Sequence, residues 1–380
     1  MTVEGVLLLD GEVGGGLRKM VPEQESTKLV PASILLEDPE KVFSLHLSYI
    51  KAGAQVITTN TYATVETRVE QLLGAGSRWA EMMTTACRMA VKAREASGKD
   101  VLIAGSLPPL NGSYRPDKVG AVEDLLPVYR RHVAIMAEHV DLFICETMST
   151  ALEAWAAASA AAESGKPVWV AWNLLDDGPR CSCNSVTCSK ATAAGPRLRS
   201  GESLEEAWEL IAELKPDAVL VNCVMPETIM AAIPYLAQMG TKIFGGYGNG
   251  FTCIPEGWTV QNGGIAALGK RRDLTPKLYA DMALEWVDAG ARVVGGCCEV
   301  GPDYIAEMQS RLAPELSGSQ VGKACFELNE ASVSSQASTE CLTLNGYSTS
   351  SSAWSNNFLS QMSNLPKRRP PSLEDIAFHK

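Results

Sequence analysis

The sequence predicts a (β/α)8 barrel with a disordered C-terminal tail. Two observations carry that prediction and a third argues against the main alternative. Eight short runs between residues 5 and 297 are nearly continuous in apolar and β-branched residues, as parallel strands buried on both faces are. Longer amphipathic stretches separate them, so strand and helix alternate as in a barrel. An open doubly wound sheet alternates in the same way, and its dinucleotide-binding form opens with G-x-G-x-x-G after the first strand. Here the first run meets GEVGGG.

The strand candidates, in order, are GVLLLD (5–10), AQVITTNT (54–61), VLIAGS (101–106), DLFICE (141–146), PVWVAWN (167–173), DAVLVNC (217–223), KIFGGY (242–247) and RVVGGC (292–297). Helical periodicity runs through DPEKVFSLHLSYIKAGA (38–54), where Asp38 and Pro39 are a start signal. It recurs in SLEEAWELIAEL (203–214), with Ser203 as N-cap. YIKAGA and EWVDAGA both end in Ala-Gly, a common helix terminus before the next strand. The barrel therefore spans residues 1–316. Two stretches fall outside the alternation. CSCNSVTCSKATAAGPRLRSGE (181–202) is polar and rich in Cys and Ser, and GPR occurs at both 178–180 and 195–197. Residues 178–196 thus read as an insertion after the fifth strand, a solvated loop in which Cys181, Cys183 and Cys188 are a remote metal candidate. Residues 317–380 are rich in Ser and Asn and lack apolar periodicity, so a disordered tail is expected, with PKRRPP (366–371) as a solvated charge run.

Composition narrows the function. A net charge of −11 argues against a nucleic-acid-binding face, and no apolar run approaches the roughly 20 residues of a membrane span. The segment MTVEGVLLLDGEVGGG has no basic region ahead of its apolar run, unlike a signal peptide, so a cytoplasmic protein is expected. Eleven cysteines without a regular framework then read as free, metal-bound or catalytic. The four histidines, His46, His132, His139 and His379, form no H-x-H or H-E-x-x-H pattern. Any metal site would be rich in thiolate, a donor that favours zinc among the common catalytic metals.

In a (β/α)8 barrel the chemistry gathers where strands end. Those ends carry Asp10-Gly11, Thr58 to Tyr62, Gly105-Ser106, Glu146-Thr147, Asn173, Asn222-Cys223, Tyr247 with Asn249, and Cys297-Cys298. Adjacent residues of a strand point to opposite faces, so Cys297 and Cys298 share a task only if the strand stops there. Gly295 and Gly296 permit that stop. A vicinal disulfide, two buried thiols and two thiolates on one metal all satisfy the pattern. Cys223 ends the sixth strand, close around the rim. Three thiolates with one open position would be the pattern of a catalytic zinc, whereas three buried free cysteines would be ordinary core.

Together, DG after the first strand, VITTNTY (56–62), GSLPPLNGSYRPD (105–117), CETMST (145–150), VNCVMPE (221–227), GYGNGF (246–251) and GGCC (295–298) resemble the homocysteine S-methyltransferases. The resemblance runs over about residues 5–315, the insertion excepted, with N-C-x-x-P-E and G-G-C-C in the family's order. It implies a zinc-containing barrel that moves a methyl group onto the sulfur of homocysteine, with Cys223, Cys297 and Cys298 as zinc ligands. It also implies that Asp10, Gly11, Thr59 and Glu146 hold the amino acid. Asn222 and Tyr247 join them as substrate-binding candidates at neighbouring strand ends.

The chemistry of these residues agrees. A thiolate is the nucleophile, and binding to zinc deprotonates a thiol. Glu146 suits an α-ammonium, and the glycine-rich DGEVGGG suits an α-carboxylate. By themselves, Glu146 also suits a helix N-cap and Asp10 a turn. The chain departs from the family in Glu299, where relatives commonly have glycine, in Glu12 and the triple glycine of the first loop, and in the insertion. The expected reaction gives methionine from homocysteine and a sulfonium donor, S-methylmethionine or S-adenosylmethionine, with betaine as the alternative donor. A catalytically inactive zinc- or thiol-binding barrel and a redox protein with a Cys297–Cys298 disulfide are the rival readings.

Overall fold

The structure, a computed structural model, describes residues 5–22, 30–74, 78–176, 195–254, 258 and 268–316. The expected tail and the cysteines of the insertion lie outside those residues. The eight predicted runs are eight parallel strands: β1 (Leu7–Leu8), β2 (Val56–Thr58), β3 (Leu102–Leu107), β4 (Leu142–Met148), β5 (Val168–Trp172), β6 (Ala218–Asn222), β7 (Ile243–Gly248) and β8 (Val293–Gly296). Each pairs with its sequence neighbours, and β8 returns to β1 through Leu7↔Val293 and Leu8↔Val294. A parallel bridge between Leu9 and Val56 joins β1 to β2 and closes the ring. The fold is a (β/α)8 barrel.

Helices cover the outside. The chain forms α1 (Gly14–Lys19), α2 (Val30–Glu37) and α3 (Pro39–Ala52) after β1, then α4 (Glu66–Leu73) and α5 (Trp79–Ser97) after β2. Among the described residues one α-helix follows each later strand: α6 (Val122–Met136), α7 (Ala151–Ala162), α8 (Leu204–Ile211), α9 (Pro226–Leu236), α10 (Pro276–Asp288) and α11 (Pro302–Leu316). Their ends follow local chemistry. Ser203 caps α8 in a reciprocal box, accepting the Glu206 N–H at 3.1 Å while the Glu206 carboxylate accepts the Ser203 N–H at 2.7 Å. Gly53, at φ 109°, ends α3 in the left-handed conformation. Two elements lack a sequence signal. The triple glycine, expected as a loop, opens α1, and α2 is apolar nearly all round, with Val30, Pro31, Ala32, Ile34 and Leu35 buried. An element buried on several sides shows no amphipathic period.

The interior explains where the site lies. Strand side chains alternate, and one set fills the barrel: Leu7, Leu9, Val56, Leu102, Ala104, Leu142, Ile144, Trp169, Ala171, Ala218, Leu220, Ile243, Tyr247 and Val293. Burying each large member of such a set contributes about 1.5–3 kcal/mol. Two residues further along the same faces the chemistry changes. Ala104 gives way to Ser106, Ile144 to Glu146, Ala171 to Asn173, and Leu220 to Asn222. All four polar residues are buried. The apolar plug therefore carries a polar floor, and the strand ends stand around it.

Candidate active site

Cys223, Cys297 and Cys298 come together on this floor, their sulfurs all within 4.8 Å of one another. Cys223 Sγ lies 2.7 Å from Cys297 Sγ and 3.8 Å from Cys298 Sγ. The described cysteines are free thiols. The adjacent pair acts together because β8 stops at Gly296, whose place a β-carbon cannot share: it would fall 2.2 Å from Val300 Cγ1. The chain then turns. The Cys297 N–H donates to Gly248 O at 2.8 Å, and Cys298 O accepts the Gly250 N–H at 2.8 Å. Cys223 reaches the same point by a different device. It follows β6 with φ 55°, in the left-handed region.

The donor set fits a metal. Thiolates about 2.3 Å from a tetrahedral ion stand roughly 3.8 Å from one another, so three sulfurs this close lie within the reach of a single ion. Hydrogen bonds from Cys297 and Cys298 hold the Cys223 thiol well below the usual thiol range, while sharing protons with Cys223 raises the other two.

The predicted substrate residues stand at or just past the ends of their strands: Asp10 and Gly11 after β1, Thr59 after β2, and Glu146, Asn222 and Tyr247 on β4, β6 and β7. Glu146 is buried and accepts hydrogen bonds from Ser106 Oγ and from the Tyr247 hydroxyl, the latter at 3.1 Å. Burial raises its pKa despite those two donors. Asp10 accepts the Thr58 N–H at 2.8 Å and the Thr58 hydroxyl at 3.0 Å, and burial lifts its pKa well above the carboxylate range. Gly11 runs against the Val300 carbonyl, where a β-carbon would approach to 2.2 Å. Thr59 Oγ1 accepts the Ser106 N–H at 3.1 Å and lies 2.7 Å from Thr61 Oγ1, which donates to Ser106 O at 2.8 Å. Asn222 is the exception in orientation. Its carboxamide is committed to Thr147, accepting the N–H and donating to the hydroxyl, each at 2.9 Å.

The departures in the sequence have structural accounts. Glu299 is paired with Lys270 at 3.0 Å and Lys19 at 3.2 Å. Burial would raise its pKa, but the hydrogen bond from Lys270 and the charge of Lys19 carry it below the usual value. Glu12 folds back over α1 and accepts Lys19 Nζ at 2.8 Å. The triple glycine makes this possible, since a β-carbon on Gly15 would fall 1.5 Å from Glu12 Oε1. The residues that flank the insertion, after β5, are tied by a Leu174↔Leu198 bridge.

Several residues at the site carried no distinct sequence signal. The Tyr279 hydroxyl, from α10, accepts the Gly248 N–H at 2.8 Å and faces Gly295 O at 2.8 Å, joining the ends of β7 and β8. Its spacing on the helix is that of any core aromatic. Arg199 lies beyond the insertion and stacks on Tyr114, its guanidinium carbon 5.1 Å from the ring centre. Tyr114, Cys223 and Glu299, in segments that follow strands, and Thr147, near the end of β4, have positive φ, a concentration of backbone strain typical of functional sites.

Residues 7–312 match the family model for homocysteine S-methyltransferase. The chain belongs to the homocysteine S-methyltransferase family. This methyltransferase is 26% identical to the homocysteine S-methyltransferase of Escherichia coli, over 81% of this chain and 96% of that protein. It is also 26% identical to the S-methylmethionine–homocysteine S-methyltransferase of Pongo abelii, over 74% of this chain and 72% of that protein. The metallated form of the Escherichia coli homocysteine methyltransferase superimposes with a TM-score of 0.63, covering 81% of this chain and 96% of that one at 26% identity. No described helix of the methyltransferase is long and apolar enough to cross a membrane.

Proposed function

We propose that the enzyme transfers a methyl group from a cationic sulfonium donor to homocysteine, with zinc held by Cys223, Cys297 and Cys298. The observation that carries this reading is the cluster of three thiols, within 4.8 Å of one another, beside the buried carboxylate of Glu146. Cys223, Cys297 and Cys298 would hold the ion, and zinc bound there would supply the acidity that turns a substrate thiol into a thiolate at neutral pH. The rest belongs to the chain. Glu146, aligned by Ser106 and Tyr247, takes the substrate ammonium in a charge-assisted bond. Asp10, Gly11 and Thr59 line the amino-acid end, and Asn222 keeps Thr147 at the end of β4. The homocysteine sulfur forms the new bond to the methyl carbon. The donor's C–S bond breaks, its electron pair stays on the departing thioether, and the thiol proton is released. Holding both sulfur centres in line supplies the rate, since little acid–base chemistry remains.

S-Methylmethionine is the preferred donor in this reading, supported by the activity in the name of the Pongo abelii relative. S-Adenosylmethionine is the second sulfonium candidate and betaine the alternative. Incubating the purified, zinc-replete protein with homocysteine and each donor tests the proposal. Methionine is expected with a sulfonium donor: two equivalents per S-methylmethionine consumed, because the departing thioether is itself methionine, or one per S-adenosylmethionine. No methionine from any of the three would leave the inactive thiol-binding barrel as the better account.

A further inference from the structure

Alternation along β6 turns Ala218, Leu220 and Asn222 inward, so regular strand geometry would aim Cys223 outward, toward the helices. Cys223 faces Cys297 because its backbone enters the left-handed region, at φ 55°, which a side chain bearing a β-carbon resists. Something must hold that conformation. The Cys223 N–H donates to Tyr247 O at 3.1 Å, as ladder continuity requires. On the carbonyl side the partner is Asn173, fully buried at the end of β5. Its Nδ2 donates to Asn222 O at 3.0 Å and to Cys223 O at 2.9 Å. The two peptide carbonyls that flank the kink are thus gripped by one amide group.

The carboxamide is itself oriented. Arg199 Nε lies 3.0 Å from Asn173 Oδ1. A guanidinium has donors only, so it requires the oxygen on that side and turns the NH2 toward the carbonyls. Arg199 is seated on Tyr114 and donates to Ile254 O at 3.2 Å. The Tyr114 hydroxyl also reaches Cys223 O, at 3.4 Å.

We propose that Asn173 is a positioning residue for the metal centre: its NH2 clamps the left-handed Cys223 backbone so that the thiolate points to the metal, and Arg199 sets the clamp. This inference rests on Cys223 being a ligand. It makes the segment after the insertion part of the support of the metal site, and a change there alters metal affinity without touching a sulfur.

The test is zinc affinity by competition with a chromophoric chelator, with the thiolate-to-cobalt charge-transfer band of the cobalt-substituted protein as a second readout. Asn173→Asp keeps the shape and the acceptor for Arg199 but removes both donors. A 10- to 100-fold weaker zinc affinity is expected, as for other residues that orient metal ligands, together with a shifted or weakened charge-transfer band. Arg199→Gln, farther from the sulfurs, is expected to lose several-fold, and it decides the matter if Asn173→Asp does not fold. Wild-type affinity and an unchanged band in a folded variant of either kind overturn the proposal. A wild-type protein that binds no zinc would instead overturn the metal reading beneath it.

Discussion

Glu146 is the residue whose role separates an amino-acid site from a bare thiol site. It is buried, and its two aligned donors are a hydroxyl on β3 and a phenol on β7, so the carboxylate is held in place before substrate arrives. Glu146→Gln keeps the shape and removes the charge. Homocysteine binding is expected to weaken by about 1.5–3 kcal/mol, the range for hydrogen bonds to charged groups. Binding of 3-mercaptopropionate, which lacks the amino group, is expected to change little, and zinc content not at all. Calorimetric titration of both thiols into both proteins reads this directly; equal losses for the two thiols would make Glu146 structural. At this scale the sequence was informative where strand ends named residue types, as with Glu146 and the cysteine pair. It was silent on orientation. Nothing in VNC shows that Asn222 turns to Thr147, or that Cys223 needs a left-handed backbone to face the other sulfurs.

Helices α3 and α6 each bury a histidine that no hydrogen bond satisfies. His46 and His132 are fully enclosed, and among the described residues neither ring nitrogen of either has a partner. Burial depresses both pKa values to about 4, with the Arg131 charge adding to the effect at His132. The folded pKa lies below the unfolded value of about 6.5, so the neutral rings contribute stability that is fully present above pH 6.5. That contribution is lost as pH falls through 4. His46→Leu removes one of these groups. Relative to wild type, the variant is expected to gain about 2–3 kcal/mol on going from pH 7.5 to 4.5, measured by guanidinium unfolding at the two pH values. An unchanged difference between the proteins would show that His46 finds a partner or water in solution. Elements with a clear period, such as α3 with its Asp38–Pro39 start, were legible in the sequence. The first helix after β1 and the apolar α2 were not, because triple glycine reads as a loop and a helix buried on several sides has no polar stripe.

The whole barrel was legible because parallel strands in its interior have to be apolar on both faces, which makes eight runs stand out between helical stretches. The rim was less so, since its contacts join residues far apart in the chain: Arg199 to Asn173, Tyr279 to Gly248 and Gly295, and Glu299 to Lys19. Strand–helix alternation is complete at α11, which ends at Leu316. A protein ending at residue 320 is therefore expected to keep a cooperative thermal transition and methyl transfer to homocysteine; loss of either would show that residues beyond 320 support the barrel. The zinc content, per chain, of the wild-type protein and of Cys223→Ala purified alike reads the metal site. One zinc is expected in the wild type and almost none in the folded variant. Full zinc occupancy in folded Cys223→Ala would contradict the proposed site.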